Sequence, residues 1–407
     1  MRQKLHRGRR SVFRKRNPVP RIIGTVVLAV AVVAGGFFGA KWISEHPVTE
    51  PMGSEEPTVS APAPDTDVSA PADAPADTTP DAPATADTVR GFYLPLSKIS
   101  DTALLSKAKE AGFTAVIFDL KDTEGRLYYR SSNATAVQVN SFTADAMTAE
   151  QLSTLFDTIR EAGLVPIPRL YAFRDHLGAK ALANARISHK DNSGWVWYDG
   201  DPQGGGKAWL NPYADAAHEY IIALATELKA AGAGGVMLDG VQFPKQTSAA
   251  SFGNGAHIAL KEEEVLSLFV DKARTALGDC PLLLACTAES ALGTATQVYG
   301  GNPLTFGATM ASPTILPGSL PAKIKVGENT IVNDQNNLQQ TVQNLVNQMV
   351  LRTKVLAENK QPAITPFLQV AGYSATQVQQ EIAGCLAGGA TDYILYHPDG
   401  QYDFGAY

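Results

Sequence analysis

Cysteine is scarce in this chain. Cys280, Cys286 and Cys385 are three residues in 407, an odd number, and all lie in or beside apolar segments. Disulfide-stapled domains carry more cysteines in even counts, so that scaffold is excluded. All three read as buried small hydrophobes, with a Cys280–Cys286 bridge as the alternative. There is no CxxC pair, and the seven histidines are scattered and unpaired. No metal site and no cofactor is therefore expected. No GxGxxG follows the first apolar run, which argues against a dinucleotide-binding sheet. Long apolar runs are missing except for one, which excludes a polytopic membrane protein. An apolar content of 44% excludes a wholly disordered chain.

The charge that is present is unevenly spread. Residues 1–40 hold nine Lys/Arg and no acid, residues 41–88 hold one Lys and ten acids, and the rest of the chain nets −6. The basic tail (1–21) precedes the uncharged run Ile22–Ala40. As a helix, that run spans roughly 28 Å at 1.5 Å per residue, enough for a bilayer core. The basic flank predicts a single-pass signal anchor in the cell membrane, with the N-terminus cytoplasmic and everything after Lys41 outside. A cleaved signal peptide is the competing reading. Residues 41–88 carry eight prolines between Pro51 and Pro83, with many Ala, Thr and Asp. Such a stretch buries nothing and is expected to be a disordered spacer. The tail and the spacer cancel, so the small overall charge reports nothing about the partners of the rest of the chain. The position of the basic tail against the apolar run points to topology, and no nucleic-acid partner is expected.

From residue 89 onward, short apolar runs alternate with amphipathic helical patterns. The runs are 91–96, 114–120, 165–173, 234–243, 281–289, 305–311, 363–370 and 392–398. Helices are expected over 101–112, 148–163, 214–232, 260–278, 337–360 and 374–389. Eight strands alternating with helices in about 310 residues predict an α/β fold, a (β/α)8 TIM barrel over 89–407. The connection between the third and fourth strands is long, and that between the fifth and sixth is short.

In such barrels, function sits at the C-terminal ends of the strands. The second run ends Phe118-Asp119-Leu120-Lys121-Asp122, and the two-residue period puts Asp119 and Lys121 on the face opposite Phe118 and Leu120. By the same logic Asp239 faces inward on the fourth strand. Arg169 closes the third strand, Glu289 the fifth, Gln369 the seventh, and Tyr396 with His397 the eighth. Carboxylates that share one pocket suit glycoside hydrolysis, where one protonates the leaving oxygen while another attacks the sugar or activates water. Lys121 or Arg169 would keep one carboxylate ionised. Tyr93, Tyr171, Phe173, Trp195, Trp197, Tyr198 and Trp209 are aromatics that could stack on sugar rings.

The blocks VRGFYLPLS (89–97), FDLKDTEGRLYY (118–129), PIPRLYAFRDHLGAKA (166–181) and KAWLNPYADAAHEYIIALATELKAAGAGGVMLDGVQFP (207–244) give the chain a family likeness. It resembles the bacterial glycosyl hydrolase domain of unknown function, itself expected to be a TIM barrel. The resemblance carries over Asp119, Lys121, Asp122, Arg169 and Asp239. It also shows departures. Where the family reads Asp-Tyr-x-Arg-Phe-Pro, this chain has Asp239-Gly240-Val241-Gln242-Phe243-Pro244, and Cys286 stands where the family usually carries an aspartate.

The functional expectation is a membrane-anchored glycoside hydrolase that acts on cell-envelope or extracellular polysaccharide. Asp239 would be nucleophile or base and Glu289 the general acid, by analogy with alpha-amylase-like placement. Asp119 would assist, and Lys121, Asp122, Arg169, Trp209, Gln369 and Tyr396 would bind substrate. The alternative is a non-catalytic barrel that binds a cell-wall glycan or an envelope protein, supported by the missing family residues.

Overall fold

The computed structural model describes residues 88–253 and 255–407. The expected tail, the apolar span 22–40 and the spacer up to residue 87 lie outside the described residues. Among the described residues, no helix is long and apolar enough to cross a membrane.

Eight parallel strands close into a barrel: β1 (Arg90–Tyr93), β2 (Ala115–Lys121), β3 (Val165–Tyr171), β4 (Val236–Asp239), β5 (Leu282–Thr287), β6 (Met310–Ile315), β7 (Phe367–Gln369) and β8 (Tyr393–Tyr396). Each pairs with its neighbour in sequence, and β1 pairs with both β2 and β8, so the ring has no free edge. Six long helices surround it: α1 (Thr102–Glu110), α2 (Ala149–Glu161), α3 (Asp215–Ala230), α4 (Glu262–Leu277), α5 (Leu338–Thr353) and α6 (Ala375–Ala387). Local sequence starts them. Asp101 caps α1, and Thr148 with Gln151 and Ser374 with Gln377 form reciprocal capping boxes at α2 and α6.

The period of two divides the core into two layers. Ala115, Ile117, Val165, Ile167, Met237, Leu283, Phe367 and Ile394 fill the barrel interior. Val116, Phe118, Leu120, Val236, Leu238, Leu282 and Leu284 face the helices. The three cysteines are buried and free, as small hydrophobes.

Two expectations are corrected. The sixth strand runs Met310–Ile315 rather than 305–311. Residues Pro303–Thr305 form a short 3-10 turn capped by Asn302, and Gly307 at φ +86° breaks any extension before Met310. The strand instead continues through Pro313, a residue that hides it because proline donates no ladder hydrogen bond. The helix expected to reach residue 360 ends at Thr353. The β5–β6 link holds only short helical turns, and the β3–β4 link carries α3 plus an excursion. Within that excursion Ser188–His189 pairs with Asn192–Val196, and it also pairs with Ala250–Ser251 of the loop between β4 and α4.

Candidate active site

The ends of β1, β2, β3, β4 and β8 converge at the barrel mouth. Continuing the inner face beyond Ile117, Ile167, Met237 and Ile394 gives Asp119, Arg169 with Tyr171, Asp239 and Tyr396. Tyr93 adds the end of β1. Pairing register puts Asp119 opposite Arg169 and Tyr171 opposite Asp239.

Arg169 is the hub. Its Nε lies 2.5 Å from Asp119 Oδ1 and its Nη2 3.1 Å from Asp119 Oδ2, a two-pronged grip, while Nη1 reaches 3.5 Å to Asp239 Oδ2. The guanidinium carbon lies 5.3 Å from the centre of the Tyr93 ring and 5.1 Å from that of Tyr171, so the cation is flanked by two aromatic faces. The Tyr93 hydroxyl donates to Asp119 Oδ2 at 3.0 Å, and the Tyr93 ring lies 5.3 Å from that of Tyr396. Because one guanidinium reaches both carboxyl groups, Asp119 and Asp239 sit within the ~9.5 Å limit at which paired carboxylates act on a glycosidic bond.

The two carboxylates are held differently. Asp119 is engaged by both prongs of Arg169 and by Tyr93. Asp239 accepts the Gly240 backbone N–H at 2.6 Å, and Tyr171 also favours its charged form. Its side chain is 26% exposed, toward the mouth. Burial nevertheless raises its pKa, and Asp119 adds to the rise; Arg169, Gly240 and Tyr171 oppose it without cancelling it. Burial disfavours charge on Arg169 too, but Asp119 and then Asp239 outweigh it and hold the guanidinium protonated. Gly240 adopts φ +62°, a conformation glycine accepts without strain.

A barrel whose mouth holds this cluster matches a family profile over residues 91–402, that of the "Putative glycosyl hydrolase domain". The chain belongs to that family. No curated protein matches it. Among solved structures it is similar to a hypothetical protein from Ruminiclostridium thermocellum, at 21% identity and TM-score 0.40 over 47% of this chain and 96% of that one. It is also similar to an alpha-galactosidase from Thermus thermophilus, at 13% identity and TM-score 0.45 over 78% and 60%. A third is the glycoside hydrolase domain of PelA from Pseudomonas aeruginosa, at 12% identity and TM-score 0.40 over 78% and 97%. These likenesses concern the barrel fold alone.

Four of the expected site residues meet in this cluster: Asp119, Arg169, Asp239 and Tyr396. The others do not. Lys121 was expected to face the mouth, but a register shift between Asp119 and Lys121 turns it to the outer side of β2. There it is fully buried, with Nζ 2.9 Å from Asp175 and 2.5 Å from the Tyr171 carbonyl. Asp122 holds a turn, accepting the Glu124 and Arg126 backbone N–H groups together with Arg126 Nη1 and the Tyr128 hydroxyl. Trp209 is 5% exposed, and its Nε1 donates to Asp199 at 2.8 Å, so it is core rather than a sugar platform. Gln369 sits on the rim, its amide already bonded to Gly318 N and the Ala371 carbonyl. Glu289 lies in the first turn of the short helix Ala288–Ala291 after β5. It is partly exposed, and among the described residues its side chain makes no ion pair or hydrogen bond with the cluster.

The position of Cys286 also has a structural account. Leu283 and Ala285 face the barrel interior, so Cys286 faces the helix layer and Thr287 takes the mouth side. Asp175 was missed as a partner for Lys121. It lies in the Phe173-Arg174-Asp175 stretch of the third family block, and nothing in the period of β2 or β3 links it to Lys121. Gly125, from the second block, completes this unit: at φ +90°, a Cβ there would lie 1.9 Å from Asp175 Oδ1. Lys121, Gly125 and Asp175 thus lock the β2 and β3 ends together from behind the mouth.

Proposed function

We propose that the protein is a glycoside hydrolase acting on a polysaccharide, with Asp239 as its central catalytic carboxyl. The observation that carries this reading is the arrangement of Asp239 beside Asp119 on a single guanidinium at the barrel mouth, with burial raising the Asp239 pKa. A raised pKa suits a carboxyl that keeps a proton for the leaving oxygen. Asp239 therefore takes the proton donor's part rather than the nucleophile's. Glu289, on the neighbouring strand end and without an ion pair among the described residues, is the proposed nucleophile or base. Asp119 and Arg169 orient the site and hold its charge, and Tyr396 with Tyr93 offers an aromatic wall for a sugar ring. The basic 1–21 segment ahead of an uncharged 19-residue run supports action outside the cell membrane on envelope or extracellular glycan.

Release of reducing sugar from a panel of wall and exopolysaccharide glycans, compared between wild type and Asp239→Asn, tests the reading. Product is expected from wild type only. Its rate should fall as pH rises through the raised Asp239 pKa, beside an acid limb from the nucleophile or base; a profile with the acid limb alone returns Asp239 to the nucleophile's role. The second reading, a glycan-binding barrel without turnover, is favoured by one observation: Arg169 already engages both Asp119 and Asp239. Retention of glycan by wild type with no product from any member of the panel would establish it.

A further inference from the structure

Among the βα connections, apart from the residues of the Arg169 cluster, the fold gathers three donors that the sequence keeps apart. Asp215 and His218 are three residues apart at the start of α3 and so share a face. His257 comes from the loop between β4 and α4. One ligand atom from each lies within 4.8 Å of those of the other two. The two imidazole rings are nearly parallel, at 12° and 5.7 Å between centres.

His218 is the best-defined member. It is buried, and its Nε2 lies 2.6 Å from the Pro212 carbonyl oxygen, which requires a proton on Nε2 and leaves Nδ1 as a bare lone pair. That Nδ1 is buried and has no hydrogen-bond partner among the described residues. An imidazole steered by a backbone carbonyl at one nitrogen and free at the other has the outer-shell support typical of a metal ligand. His257 Nε2 lies 2.7 Å from Asp215 Oδ1. Into the same place α4 extends Lys272, its Nζ 2.8 Å from Asp215 Oδ1 and 3.3 Å from His257 Nε2. Two of the three donors, Asp215 and His257, therefore already hold a cation, the lysine's ammonium.

We propose that Asp215, His218 and His257 form a site for a divalent transition-metal ion of the zinc type, whose place the Lys272 ammonium holds until the ion binds. Two imidazoles and one carboxylate select Zn2+, Co2+ or Ni2+ over Mg2+ or Ca2+, which favour all-oxygen cages. Binding releases the Lys272 side chain to solvent and ties the start of α3 to the loop before α4. The site is separate from the Arg169 cluster and does not depend on the hydrolase reading.

The test is calorimetric titration of the full chain, stripped with chelator, with Zn2+ alone, and with Co2+ followed by its visible absorption bands. One ion per chain is expected. Asp215→Asn and His257→Ala each change a partly exposed side chain, so folding is readily checked by circular dichroism, and His218 is left intact because it is buried. Each variant should weaken binding by about 100-fold or more, the loss of a direct ligand exceeding that of outer-shell support. Lys272→Met should tighten binding by roughly tenfold, because the ion no longer competes with an ammonium for Asp215. The proposal is overturned if wild type takes up no stoichiometric ion, if uptake survives Asp215→Asn and His257→Ala unchanged, or if Lys272→Met weakens it.

Discussion

Replacing Lys121 with methionine separates a structural role from a substrate-binding one. Lys121 and Asp175 are both fully buried, their charged atoms 2.9 Å apart. The ammonium also donates to the Tyr171 carbonyl at the end of β3. Methionine fills the space of the lysine stem but leaves the Asp175 carboxylate without a counter-charge. Breaking a buried pair on one side costs about 3–5 kcal/mol, since the remaining charge stays desolvated. At roughly 2–4 °C per kcal/mol for a large domain, the melting temperature should fall by about 10 °C. Asp175→Asn keeps an oxygen for the Gly178 N–H that Asp175 accepts at 2.6 Å. Combined with Lys121→Met, it should give back about 2 kcal/mol relative to the sum of the single changes, the coupling expected of residues in contact. Thermal melts of the four proteins, with glycan retention measured alongside, complete the cycle. A melting temperature within about 2 °C of wild type in Lys121→Met, accompanied by loss of glycan retention, would refute the burial argument and return Lys121 to the mouth.

Three further outcomes follow from the same geometry. Glu381 on α6 is fully buried beneath Gln369, and burial raises its pKa to about 8, opposed by the Gln369 N–H and the Tyr373 hydroxyl. A carboxyl protonated in the fold and ionised when unfolded makes stability fall as pH climbs from its unfolded value toward 8. Glu381→Gln should therefore match wild type near pH 5 and melt several degrees higher near pH 8 to 9; parallel melting-versus-pH curves would count against the assignment. Trp209→Phe should lower the melting temperature through loss of the bond to Asp199, about 1–2 kcal/mol, while leaving KM for any glycan unchanged; a raised KM with intact stability would make Trp209 a sugar platform after all. Gly125→Ala should destabilise by about 3 kcal/mol or more, combining a strained φ with a collision against Asp175, as measured by urea unfolding.

The closed barrel was legible in the sequence because the information is local. Alternating apolar residues in β2, β3, β4 and β8 define an inner and an outer face, capped amphipathic segments separate the strands, and strand ends mark the mouth. The same alternation aimed Asp119, Arg169, Asp239 and Tyr396 at one another. Periodicity states which way a side chain points from its own strand; it does not name the partner across space. A one-residue shift in register after Asp119 was enough to turn Lys121 away from the pocket and into a buried pair with Asp175, 54 positions along the chain. Pro313 disguised the sixth strand, and the packing of the long β3–β4 excursion, not its composition, buried Trp209. The meeting of His218 with His257 depends on how α3 sits against the loop before α4, so it leaves no spacing signature. Local sequence thus decided side-chain direction where the strand register runs unbroken. Tertiary structure decided side-chain partnership and, past the bulge in β2, the direction of Lys121 as well, because both depend on loop paths and register that no short window of sequence contains.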